Sequence, residues 1–369
     1  MKNIIFTFFF TIIYFPSLFG QSNFDVTLRL DFTSAERLIE LCEGRLRNVK
    51  SVSELKGNQL AAATSALLAR KQKAWNEFDR ELELIRDNFR SDNDIFGLQT
   101  TKNNLAQIKA LLAECKKRQL DKKITSTIEA FFPISEKINA VLPVYFVAFG
   151  NENAAAFVRR VMWIDNYPVF VGDNQGNAVI VVNLSRLMQY HPKTEIQFIE
   201  LQSTLAHEAF HAVFSEYQQT SAYWKRVNEK NNFAHQLAAL SQNEGIAYYI
   251  SMQQDIGGEI PAQYWFNETM NAMKSLNDAL KELSSDRITI VRARELIMNS
   301  NLSGSFAKNY GATAGWRIAY EIDRKLGRVA LSETLAKGTK DFFTKYSELC
   351  RLNPTLPAID SSILSTLEE

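Results

Sequence analysis

The chain has 369 residues, 46% apolar and 22% charged, with 42 Lys and Arg against 41 Asp and Glu for a formal net charge of +1. That length can bury a substantial core in one large or two modest domains, and the balance excludes a disordered tail protein. No basic excess points to nucleic acid or an anionic membrane surface as a partner, and three cysteines are too few for a disulfide scaffold.

Met1-Lys2-Asn3 is a short positive start. It is followed by an uncharged apolar run from Ile4 to Phe15, a break at Pro16, and Ser17-Leu18-Phe19-Gly20 ahead of Gln21. This is the three-part pattern of a secretory signal peptide. The run is too short for the roughly 20 residues a spanning helix needs, and no later stretch approaches that length. The sequence therefore predicts an exported protein, periplasmic or secreted, with residues 1–20 removed and no membrane span in the mature chain. Cys42, Cys115 and Cys350 are far apart; either one pair bridges after export or all three are buried thiols.

Residues 25–31 alternate like a strand. Thr33 and Glu36 then read as a T-x-x-E capping box opening a helix to about Arg47. Helical stripes follow from Leu60 to Phe89 and from Leu98 to Phe131. Trp75, Phe78, Leu82, Ile85 and Phe89 mark the first, and Leu105, Ile108, Leu111 and Leu112 the second; both read as buried faces of packed helices. The texture changes at Pro143. Runs of β-branched and aromatic residues over 144–149, 157–164, 169–171 and 178–184, punctuated by Gly150, Gly172 and Gly176, predict three or four strands of a small sheet. From Thr194 the pattern is helical almost to the end, with breaks at Gly257-Gly258, around Ser300 to Gly304, and at Pro354 and Pro357.

The predicted fold class is α+β, predominantly helical, with the small sheet preceding the long helix that begins near Thr194. The organisation expected is a signal peptide over 1–20, a mainly helical N-terminal region over 21–142, a core with C-terminal helices over 143–350, and a tail over 351–369.

Inside the helix beginning near Thr194 lies His207-Glu208-Ala209-Phe210-His211, an HExxH motif. Residues i and i+4 project from one helix face, so two imidazoles can converge on one metal ion. The Glu beside the first His is aimed at the attacking water, which suits it to general-base work. The chain has only four His, and the neighbours Leu205, Ala206, Ala209, Phe210, Ala212, Val213 and Phe214 leave no solvated face on which two His and a Glu would be idle. Burying them without partners would be costly.

A catalytic zinc needs a third protein ligand and one open position. Glu244, in a helix from about Phe233 to Gln254, is the best candidate. It is followed by Gly245, which costs about 1 kcal/mol in a helix interior; a close approach of the two metal-bearing helices would justify that cost. His235 is the competitor. At about 100° per residue it faces away from Glu244 on the same helix, so only one of the two can be the ligand, and the apolar company of Glu244 favours it. His191, before Pro192, reads as a solvent-exposed loop residue.

His207-Glu-Ala-Phe-His211 with the downstream Glu244-Gly-Ile-Ala resembles the gluzincin metallopeptidases, and is most similar to a group of exported bacterial zinc-dependent peptidases. The resemblance implies a zincin-like core, one Zn²⁺ held by His207, His211 and Glu244, Glu208 as general base, and a peptide or protein substrate. It also implies that the strand over Asn177–Leu184 lies at a sheet edge and pairs with extended substrate; periodicity alone leaves an interior strand equally open. Tyr248 stands four residues after Glu244, where gluzincins carry an orienting Asp, so another group must orient the ligands. The oxyanion-stabilising residue has no match beyond a guess at Tyr310. Two rival readings are a zinc hydrolase acting on a non-peptide substrate and a non-catalytic protein with a structural or vestigial metal site. An intact Glu208 argues against the latter, because closed structural sites need no base.

Overall fold

Alternation at residues 24–31 does form a strand, β1 (Phe24–Asp31), and its Val26 and Leu28 are buried. The computed structural model describes residues 23–71, 75–91, 93–150, 155–172, 175–229, 232–255, 262–285, 287–301 and 308–367. The signal-peptide pattern lies outside them. Seven helices follow β1: α1 (Thr33–Cys42), α2 (Lys50–Ser53), α3 (Lys56–Leu68), α4 (Trp75–Arg86), α5 (Leu98–Asn103), α6 (Leu105–Lys117) and α7 (Leu120–Glu129). The sheet then continues through β2 (Ile138–Val147), β3 (Ala156–Ile164), β4 (Tyr167–Phe170) and β5 (Asn177–Asn183). The remaining elements are helical: α8 (Leu184–Leu187), α9 (Thr194–Thr220), α10 (Ala222–Glu229), α11 (Phe233–Asp255), α12 (Ala262–Leu283), α13 (Ile290–Ser300), α14 (Tyr310–Leu326), α15 (Arg328–Lys337), α16 (Thr339–Leu352) and α17 (Ser361–Thr366). The α+β, mainly helical class is as expected. Among the described residues no helix is long and apolar enough to cross a membrane.

Local signals place some boundaries differently. The Thr33/Glu36 capping box does not form. The Asp31 carboxylate accepts from the Thr33 N–H at 2.8 Å, and Glu36 pairs instead with Lys116 of α6. The first helix stops at Cys42, and Gly44 turns the chain at φ 72°, a conformation Gly adopts without steric cost. Of the first stripe, Phe78, Leu82 and Ile85 are buried as expected, whereas Phe89 is 63% exposed just beyond α4.

Among the described residues the sheet has five strands, not three or four, in the order β1-β2-β5-β3-β4. β1, β2 and β5 are parallel, while β3 is antiparallel to both β5 and β4. The fifth strand is β1, drawn in from the N-terminal region. Asn177–Asn183 is therefore an interior strand, against the edge position implied by the resemblance. Every residue from Ala178 to Asn183 is buried, which requires cover on both faces. On one face Arg160 of β3 reaches Glu216 of α9; on the other, Lys56 of α3 lies over Trp163 of β3. Alternation along the strand puts these two helices on opposite sides of the sheet. β4 pairs with β3 only over Val161–Ile164. Among the described strands none pairs with the outer edge of β3 over 156–159.

Arg160 ties α9 to the sheet. Its guanidinium, 7% exposed, donates to Glu216 Oε1 at 2.8 Å, Ser215 Oγ at 3.2 Å and the Gln175 and Gly176 carbonyls, each at 2.9 Å. Removing the only carboxylate among these acceptors leaves a buried charge under-compensated. Glu216→Ala is expected to cost about 3 kcal/mol in urea unfolding, the low end for breaking a buried pair, because Glu216 keeps 30% of its side chain in water. A loss below about 0.5 kcal/mol, the range of an exposed pair, would show that the remaining acceptors satisfy the guanidinium without Glu216.

Candidate metal centre

Helix α9 is buried along Leu205, Ala206, Ala209, Phe210, Ala212, Val213 and Phe214, which fixes its rotation. That rotation leaves His207 and His211 side by side, ring centroids 4.5 Å apart and planes at 84°. Helix α11 packs against α9 and presents Glu244 to both rings. The His207 and His211 Nε2 atoms are 2.9 Å apart, and Glu244 Oε2 lies 3.4 Å from His211 Nε2 and 3.7 Å from His207 Nε2. Each side chain is 13–15% exposed. No other group of three or more His, Cys, Asp or Glu among the described residues converges in this way.

These distances fit a zinc ion. Two ligands each about 2.1 Å from zinc at the tetrahedral angle stand about 3.4 Å apart, close to the three separations here. The electrostatics agree. Burial lowers the His207 pKa to about 3, helped by the neighbouring His211 charge. Burial acts the same way on His211, but the Glu244 carboxylate and its hydrogen bond, with Glu208 and Asn243, outweigh it and raise His211 to about 9. Burial also opposes ionisation of Glu244, yet the His211 charge holds that carboxyl below its usual range. The trio thus favours one positive charge among three converging lone-pair donors, which is what a bound cation provides.

Glu208 stands outside the trio. Burial raises its pKa to about 7, with the Glu244 charge adding to the rise; His211, a backbone hydrogen bond from Val158 and the Arg159 charge pull the other way. A carboxyl poised near neutrality is suited to taking up and releasing a proton.

Three supporting residues escape the motif. Asn243 Oδ1 lies 2.9 Å from His211 Nδ1 and orients that ring. The Asn301 side chain, just past α13, hydrogen bonds Glu244. Tyr248 packs its ring against His207, centroids 4.7 Å apart at 73°. Burial first, then the Glu244 and Glu208 charges, push its phenol up to about 12, partly offset by a hydrogen bond to the Asn309 side chain. The position of Asn243 directly before Glu244 is the one signal by which sequence could have found it.

The other candidates fall elsewhere. His235 is 9% exposed near the start of α11, its N–H bonded to Asn232 Oδ1 at 3.2 Å, and is not among the converging groups. His191 is half-buried rather than solvent-exposed, its Nδ1 accepting from the Lys193 N–H ahead of α9. The Tyr310 hydroxyl donates to the Leu296 carbonyl at 2.6 Å and so braces α14 on α13. Cys42, Cys115 and Cys350 are all free thiols, and burial raises Cys42 to about 11 and Cys115 to about 12.

Gly245 permits a close helix crossing, but not the expected one. A Cβ there would lie 2.1 Å from the Gly315 carbonyl carbon, so the glycine accommodates α14 rather than α9. Gly315 is tighter still, its Cβ position 1.8 Å from the Ser241 carbonyl oxygen. One face of α11 is thereby clamped to α14, next to the position that carries Glu244.

Among curated proteins and among solved structures, none matches this chain. A family model does match, over residues 49–355, a span that includes β2–β5 and every residue of the centre. The chain belongs to that family, DUF5700, whose description reads "Putative zinc dependent peptidase".

Proposed function

We propose that the protein is an exported zinc metallopeptidase of the gluzincin type. The observation that carries this reading is the convergence of His207, His211 and Glu244, from two packed helices, with Glu208 beside the trio and outside it. His207, His211 and Glu244 would hold the ion; zinc at such a site polarises a carbonyl and acidifies water. Asn243 and Asn301 fix the orientation of His211 and Glu244. Glu208 takes a proton from the attacking water and hands it to the leaving amine, and its bond to Val158 keeps the carboxylate facing β3. The resemblance assigned substrate pairing to the strand before the HExxH helix, which is interior. The N-terminal pattern of residues 1–20 supports export.

Metal analysis tests the ligand set. Purified mature protein should hold about one zinc per chain; His211→Ala and Glu244→Ala should each lose most of it, and His235→Ala should keep it, because His235 is held apart from the trio. Wild type that stays metal-free in excess zinc would sink the reading. Loss in His235→Ala with retention in Glu244→Ala would show that the third ligand is misassigned.

A further inference from the structure

Tyr248 has no role in the chemistry above, yet it sits at its centre. It lies one helical turn beyond Glu244, so the two side chains leave the same face of α11. Its ring meets His207 edge to face at 4.7 Å and 73°, which places an aromatic wall beside the first imidazole. The phenol oxygen lies within reach of the Asn309 side chain, and Asn309 is 1% exposed at the foot of α14. A phenol carries one O–H donor beside its acceptor lone pairs. Its partner fixes where the oxygen sits, and a donor held in place beforehand is what stabilises a developing negative charge.

We propose that Tyr248 is a catalytic residue of this centre. Its hydroxyl donates a hydrogen bond to the oxygen of the scissile carbonyl as attack of water turns that oxygen into an oxyanion. The bond strengthens as the C=O π bond becomes a C–O single bond and charge collects on oxygen; no proton needs to leave the phenol. The proposal rests on the peptidase reading. It assigns the stabilising role to the residue found where an orienting acid was expected, and leaves Tyr310 as a brace between α13 and α14.

Tyr248→Phe isolates the hydroxyl, because the ring against His207 remains. Wild type and variant are to be compared for zinc content, melting temperature, and cleavage of a fluorogenic peptide chosen from a library by wild-type activity. Affinity for a phosphinic pseudopeptide of the same sequence, whose tetrahedral oxygens mimic the oxyanion, completes the set. Expected are unchanged zinc content and melting temperature, a KM within about twofold, and a kcat about 10²–10³-fold lower, as for loss of one oxyanion donor. Pseudopeptide affinity should fall by a similar factor. A variant that matches wild type in kcat and pseudopeptide affinity overturns the proposal, as does one that loses zinc in proportion to activity, which would make Tyr248 a positioning residue for His207. Zinc-loaded wild type that cleaves no library peptide overturns the peptidase reading and this inference with it. A zinc-loaded wild type that does cleave keeps the two failures distinct.

Discussion

Glu208→Gln is expected to leave zinc content and fold nearly unchanged while lowering peptide hydrolysis by about 10²–10⁴-fold, the usual cost of losing a general base. The amide keeps the size of the carboxylate and retains an oxygen to accept from Val158 N–H, so the side chain stays where it is. What it loses is proton affinity in the range that matters. Burial and the Glu244 charge hold Glu208 near pH 7, and an amide takes up no proton there. Because Glu208 is not one of the three converging donors, metal binding should survive. Steady-state cleavage alongside metal analysis on the same preparation checks both halves. Equal cleavage by wild type and variant would refute the assigned base even with zinc in place, and loss of zinc would make Glu208 a ligand.

Gly315→Ala should be the most damaging single-atom-scale change outside the centre. The added Cβ would sit 1.8 Å from the Ser241 carbonyl oxygen and 3.1 Å from the Gly245 Cα. Both neighbours are helix backbone, so no rotamer change relieves the clash and the helices must separate. Overpacking of this kind costs about 3 kcal/mol or more. Displacing α11 also moves Glu244, so zinc affinity should fall along with stability although no ligand is altered. Chemical denaturation and a zinc competition titration measure the two effects. A variant with wild-type stability would mean that α14 can slide along α11; a destabilised variant with wild-type zinc affinity would mean that Glu244 does not follow the helix backbone.

The centre was far more legible in the sequence than the sheet. HExxH is a local pattern whose geometry is set by helical periodicity alone, so His207, His211 and Glu208 could be placed on one face of a helix starting at Thr194, where α9 begins. Glu244 needed more, but an acid beside a costly glycine inside an apolar helix narrows the choice. The glycine was read correctly as a close crossing and wrongly as to partner, because nothing local to Gly245 says which helix approaches it; Gly315, far along the chain, makes the matching signal. Strand order is non-local in the same way. A fully buried run such as Ala178–Asn183 reads alike in any interior position, and the alternation at β1 cannot announce that its neighbour is Ile138–Tyr145. Pro143 reads as a boundary because it cannot donate to a ladder. In β2 it falls just before the Val144–Val147 stretch that β5 pairs, so one side of the strand has no ladder there.

The β1–β2 pairing has a kinetic side. Phe24 must find Ile138 in parallel register, across seven intervening helices that can each form locally in microseconds. Loop closure on that scale is slow and follows hydrophobic collapse rather than leading it. During synthesis β1 emerges long before its partner strand, with Val26 and Leu28 needing cover. An unpaired strand at that stage is a template for other chains. Asp25, Arg29 and Asp31 interrupt the apolar residues of β1, and charges so placed act as gatekeepers against premature intermolecular pairing. Replacing them with apolar residues would leave the finished ladder intact and bring aggregation into competition with folding.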